Sequence, residues 1–156
     1  MTVPFTEPRL THIADFSVAV AMPVVIGEVA AGLRRIVAIT GGTATGRIAG
    51  TIDAGGADFQ ILRREDAAAE LEARYTVRTH DGAMIYVVNH GLRYGPKDVM
   101  DALARGEQVD PAKVYFRAAP KFETGDERYR WLTQRLFVAT GVRRPDTVEL
   151  RIYELG

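Results

Sequence analysis

Two tyrosines, one histidine and one arginine, set on alternating positions of β-type segments, are the residues of this chain best suited to chemistry. Around an Asp81-Gly82 turn, Met84, Tyr86, Val88 and His90 fall on one side of an extended chain, and Ile85, Val87 and Asn89 on the other. Further on, Lys113, Tyr115 and Arg117 oppose Val114, Phe116 and Ala118. If the first face of each segment looks inward, Tyr86, His90, Tyr115 and Arg117 converge on one ligand, with Asp53, Asp58, Arg74 and Trp131 as further contacts. An arginine fork in a desolvated pocket suits a carboxylate, and a nearby tyrosine or histidine can move a proton or polarise an enol. The expected catalytic set is therefore Tyr86, His90 and Arg117, with Asp53, Asp58, Arg74, Tyr115 and Trp131 binding substrate.

Other chemistries lack their residues. There is no cysteine, Ser17 is the only serine, and no Gly-Xaa-Ser-Xaa-Gly is present, which argues against nucleophilic hydrolysis. His12, His80 and His90 have no ligand spacing, so no metal is expected. The run Gly41-Gly42-Thr43-Ala44-Thr45-Gly46 lacks the Lys-Ser/Thr of a phosphate loop and reads as a hairpin or strand bend. No cofactor is implied. Arg34-Arg35 and Arg143-Arg144 read as solvated charges, Tyr75 as a sheet residue with a wet hydroxyl, and Trp131 with Tyr129 as a core or barrel-end plug.

The elements that must hold these residues are mostly strands. Asp-Gly between β-rich runs marks a hairpin over 72–79 and 83–90, which needs further strands to be stable. Extended segments are expected at 12–20, 33–40, 47–54, 58–63, 114–119, 134–140 and 147–155, with a break at Pro23. The glycines at 41–46 are expected to turn the chain, and Pro120 to end its strand. Residues 96–105 form the one convincing helix, opened by Pro96 and stopped by Gly106. This spacing predicts an all-β fold, a closed antiparallel barrel of about eight to ten strands with one short helix, in a single domain over 1–156.

Twenty basic residues against twenty acidic ones leave no footprint for nucleic acid. The most apolar window is too short to span a bilayer, and the absence of cysteine fits a reducing cytoplasm. A small-molecule ligand is the expected partner, and a homo-oligomer, dimer or higher, the default assembly.

The ordered series Gly55-Gly56-Ala57-Asp58-Phe59, Ala73-Arg74-Tyr75, Asn89-His90-Gly91, Tyr115-Phe116-Arg117 with Pro120, and Phe122-Glu123-Thr124-Gly125 carries a resemblance. Across nearly its whole length the chain resembles domain-of-unknown-function family 3237, also called uncharacterised protein family 0311. The family pattern has Trp where Phe59 stands, and Asp-Gly where this chain has Glu65-Asp66. The resemblance implies an antiparallel barrel with a central cavity, lipocalin-like or allene-oxide-cyclase-like in outline. Together with the polar strand residues, this favours a cofactor-independent lyase or isomerase acting on a small carboxylic or carbonyl compound, aromatic ones included, by decarboxylation or elimination. A non-catalytic carrier of a small hydrophobic ligand and a structural oligomerising barrel are the alternatives.

Overall fold

The computed structural model describes residues 2–156. Ten strands run in order: β1 (Leu10–Val20), β2 (Val24–Val29), β3 (Gly32–Gly46), β4 (Gly50–Ile52), β5 (Gly56–Arg63), β6 (Ala69–Thr79), β7 (Met84–Tyr94), β8 (Tyr115–Glu123), β9 (Leu136–Arg143) and β10 (Thr147–Leu155). One α-helix, α1 (Lys97–Ala104), and 3-10 turns at Pro111–Lys113 and Glu127–Thr133 complete the chain. All strand pairs are antiparallel, and the β1–β3 pairing closes the sheet into an eight-stranded barrel with two extra strands.

Closure depends on β3, which is long enough to serve two pairs of neighbours. Its first half pairs with β2 and β5, its second half with β1 and β4. The glycines at 41–46 therefore lie within a strand and do not turn it. At Gly42 a Cβ would strike the Ser17 carbonyl, so only glycine lets β1 and β3 approach as they do. The stave between β3 and β6 is broken into β4 and β5 by residues 53–55. β8 likewise continues through Pro120, because its pairing with β9 ends at Ala118 and the missing N–H leaves no rung unfilled. Beyond Pro23, β2 extends past the barrel with one free edge and exposes Val24, Val25 and Ile26.

The two ends of the barrel differ. At one end Phe122, Phe137 and Leu132 are buried, with Phe122 and Phe137 edge to face at 5.1 Å. Trp131, half-buried on the Glu127–Thr133 turn, packs edge-on to Phe137 and carries the Arg47 guanidinium 3.8 Å above its ring. This end is a packed plug. At the other end α1 lies across the opening and buries Val99, Met100 and Leu103. Replacing Phe122→Ala is expected to cost about 3–5 kcal/mol in urea denaturation, as loss of a large core ring does; a loss below about 1 kcal/mol would mean that the plug does not hold this end.

Candidate active site

Because directly opposed residues of antiparallel strands share a face, the barrel's inner wall can be followed around the sheet. Asp58 on β5 lies opposite Val37 on β3 and Ala73 on β6; Ala73 lies opposite Asn89 on β7. Two residues further along β7, Gly91 faces Leu71 and Ala118, and then Arg93 faces Phe116 on β8. Asp58, Tyr75, Asn89 and Arg93 thus line one cavity at the end of the barrel that α1 covers. The rest of its wall is apolar, including Val18, Leu71, Phe116 and Leu150. The cavity offers about 40 Å³ to water, within about 480 Å³ of free space that includes open solvent.

Asp58 is half-buried in the wall of this cavity. Its side chain keeps some exposed surface, yet protein encloses the carboxyl on most sides. Burial pushes it above the ordinary 3.8, outweighing the lowering effect of the Gln60 hydrogen bond and of the Arg93 charge. Gln60 Nε2 donates to Asp58 Oδ2 at 2.8 Å, and the Glu72 N–H donates to Oδ1 at 3.0 Å. Gln60 is held in turn by Arg35, whose Nη2 donates to Gln60 Oε1 at 2.7 Å. The carboxyl is therefore fixed in position by a chain of buried polar groups.

Tyr75 is 3% exposed, its ring edge-on to Phe16 at 6.5 Å. Burial and the Asp58 charge both push its hydroxyl further from ionisation, so it is a neutral donor. Arg93, also 3% exposed, is pushed down to about 10 by burial and by the Arg143 charge, and stays protonated at neutral pH. Its guanidinium lies over the Phe116 ring at 5.5 Å. That ring lies against Gly141, where an added Cβ would meet three ring carbons at 2.8 Å. Four buried side-chain atoms among the described residues lack a hydrogen-bond partner: Tyr75 Oη, Asn89 Oδ1, Arg93 Nε and Arg35 Nε. All four belong to this half of the barrel. Unsatisfied buried polar groups are costly, and their concentration beside a cavity makes this the candidate site.

The sequence profile described as "Protein of unknown function (DUF3237)" matches residues 8–155. The chain belongs to this family. A UPF0311 protein of Bradyrhizobium diazoefficiens is 46% identical over 132 residues, covering 85% of this chain and 86% of its own. The crystal structure of a conserved protein of unknown function from Rhodopseudomonas palustris superposes with a TM-score of 0.89 at 39% identity, covering 99% of this chain and all of its own. A β-barrel-like protein of Acinetobacter baumannii gives 0.87 at 36% identity, with the same coverage. A structure described as an enzyme from Penicillium herquei shares the DUF3237 fold at TM-score 0.73, with 19% identity and full coverage of both chains.

Of the residues expected in the site, this DUF3237 barrel brings only Asp58 to the cavity. Tyr86, His90, Tyr115 and Arg117 stand on the outer wall, because the face shared by Ile85, Val87 and Asn89 is the inner one. Tyr86 accepts from Arg74 Nη1 at 3.0 Å, and exposed Arg74 pairs with Glu72 at 2.6 Å. Arg117 donates to Thr140 Oγ1 at 2.9 Å and lies over Tyr115 at 5.4 Å. Asp53 pairs with Arg78 at 3.1 Å at the break between β4 and β5, and Trp131 belongs to the plug. Conversely, Arg35 is buried and Arg143 half-buried, so neither is a solvated charge, and the Tyr75 hydroxyl is not wet. The residues missed, Tyr75, Asn89, Arg93 and Arg35, each continue an apolar row of their strand.

Tyr86→Phe is expected to leave stability within about 0.5 kcal/mol of the parent, as for surface changes generally; a larger loss in denaturation would give the outer wall a role its exposure denies. Asp58 makes a second prediction. Its raised value means the folded chain binds this proton more tightly than the unfolded chain does. The resulting cost to stability is absent below about pH 3.8 and grows as pH rises toward the folded value. The stability of Asp58→Asn relative to the parent should therefore increase between about pH 4 and about pH 7, and a flat difference would contradict a raised carboxyl.

Proposed function

We propose that this chain is a small-molecule enzyme of lyase or isomerase type, with acid–base chemistry centred on Asp58 in the barrel cavity. The observation that carries the reading is the meeting, on one otherwise apolar cavity, of a carboxyl raised by burial, a neutral buried phenol, an amide with a free oxygen and a buried guanidinium. Perturbed titratable groups beside open volume are what proton-transfer sites require.

The roles follow from the chemistry of each group. Asp58, with its value moved toward neutrality, takes a proton from a carbon next to a carbonyl and returns it at another position, or to a departing group. The Tyr75 hydroxyl donates to the oxygen on which charge develops, and Arg93 balances that charge from within a low-dielectric wall. The apolar lining of Val18, Leu71, Phe116 and Leu150 packs the body of the substrate. The same lining supports a second reading, a carrier that binds a small hydrophobic ligand without turning it over.

A thermal-shift screen of aromatic acids, enones and phenols, followed by turnover assays on the hits, separates the two. Asp58→Asn is expected to retain hit binding while losing about 10²–10⁴-fold in kcat, with Tyr75→Phe losing less. Binding without turnover in the parent chain would favour the carrier.

A further inference from the structure

Arg93 is only one of three guanidinium groups gathered beneath α1. Arg35 is 4% exposed and reaches a second hollow of about 40 Å³ bounded by Arg93, Leu62, Met100 and Leu103. Arg143 and Arg93 both line a third, of about 10 Å³, against Leu103 and Phe116. The three come from β3, β7 and β9; burial works against the charge of each, the Arg143 charge works against Arg35 and Arg93, and Asp58 offsets this in part at all three. Bringing cations together out of water is expensive unless an anion joins them.

Among the described residues two carboxylates border this layer, and the nearer, Asp58, is hydrogen-bonded to Gln60 and the Glu72 N–H and not to an arginine. Asp101, at the edge of the second hollow, is taken by Lys97 at 2.7 Å. Arg143 Nη1 donates to the Leu103 carbonyl at the end of α1 at 3.0 Å, and Arg35 Nη2 to Gln60. Nε of Arg35 and Nε of Arg93 have no acceptor. Positive charge therefore exceeds negative charge in a water-poor layer with donors to spare, and the space next to it has an apolar wall.

We propose that Arg93, flanked by Arg35 and Arg143, is the seat of a carboxylate on the substrate, whose organic body extends into the Val18–Leu71–Leu150 side of the cavity. This rests on reading the cavity as a small-molecule site, but it concerns binding and not turnover. A carboxylate offers the acceptors that the guanidinium nitrogens lack, and a planar acid fits their fork. A free inorganic anion would leave the apolar wall unused.

Benzoate, its neutral isostere benzamide and inorganic phosphate are suitable probes in thermal shift and calorimetric titration at neutral pH. Benzoate should bind and stabilise the parent chain, and benzamide should not. Arg93→Met should weaken benzoate at least about tenfold, the loss expected for a charged hydrogen bond in a buried site. Should that variant fail to fold, Arg143→Met, at a half-buried position, carries the same test. Asp58→Asn should tighten benzoate, since it removes a negative charge from the wall of the cavity. Equal stabilisation by benzamide, stronger stabilisation by phosphate, or benzoate affinity unchanged in the arginine variants would overturn the assignment. Benzoate held through Arg93 while Asp58→Asn keeps full turnover would preserve the carboxylate seat and refute the acid–base reading; loss of turnover in Asp58→Asn with benzamide as good a ligand as benzoate would do the reverse.

Discussion

Keeping ionised groups out of water is the constraint on which the half of this barrel beneath α1 depends. Arg35 and Arg93 are placed where a domain ordinarily puts aliphatic side chains, each with an Nε that has no acceptor, and Asp58 stands beside them with both carboxyl oxygens hydrogen-bonded. Arg35 is tied through Gln60 to Asp58, and Arg143 to the carbonyl end of α1. The helix terminus, where backbone oxygens lack internal partners, suits a cation in its own right. The lid and the charged layer therefore support each other.

The barrel divides this labour along its axis. Aromatic packing of Phe122, Phe137 and Trp131 closes one end without polar atoms in need of partners, and the opposite end carries the unsatisfied ones. A hydrogen-bonded cylinder transmits rigidity between them, since nearly every strand is paired on both sides. Such a frame can hold an Asp, a Tyr and an Arg in fixed relation at little further entropic cost. Phe116 shows the precision involved: its ring lies against Gly141 only because that position has no side chain, and the Arg93 guanidinium lies over the same ring.

Much of the architecture was legible in the sequence, because turn chemistry and alternation are local. The Asp81-Gly82 hairpin, the helix after Pro96 and the closing strand Thr147–Leu155 all stand where their residues place them. The course of β3 through Gly41 and Gly42 was not legible, since it follows from one strand serving four neighbours, a tertiary demand. The site was lost to parity. β7 carries aliphatic residues on both faces, Met84 and Val88 against Ile85 and Val87, so hydrophobicity alone does not choose the inner one. Asn89 and Arg93 continuing the Ile85–Val87 row, and Arg35 within the Leu33–Val37–Ile39 row, were the residues that told; a polar group in an apolar row says more than one in a polar row.

The overhanging β2 has a cost of its own. An extended segment with one unpaired side and exposed Val24, Val25 and Ile26 is the kind of template on which chains stack edge to edge. The register slip between Val25 and Gly27, and the charge of Glu28 just after it, kink and charge this border so that a straight ribbon cannot grow from it. That irregularity of one residue protects the exposed border of β2, and smoothing it would leave a flat edge open to pairing with a second chain.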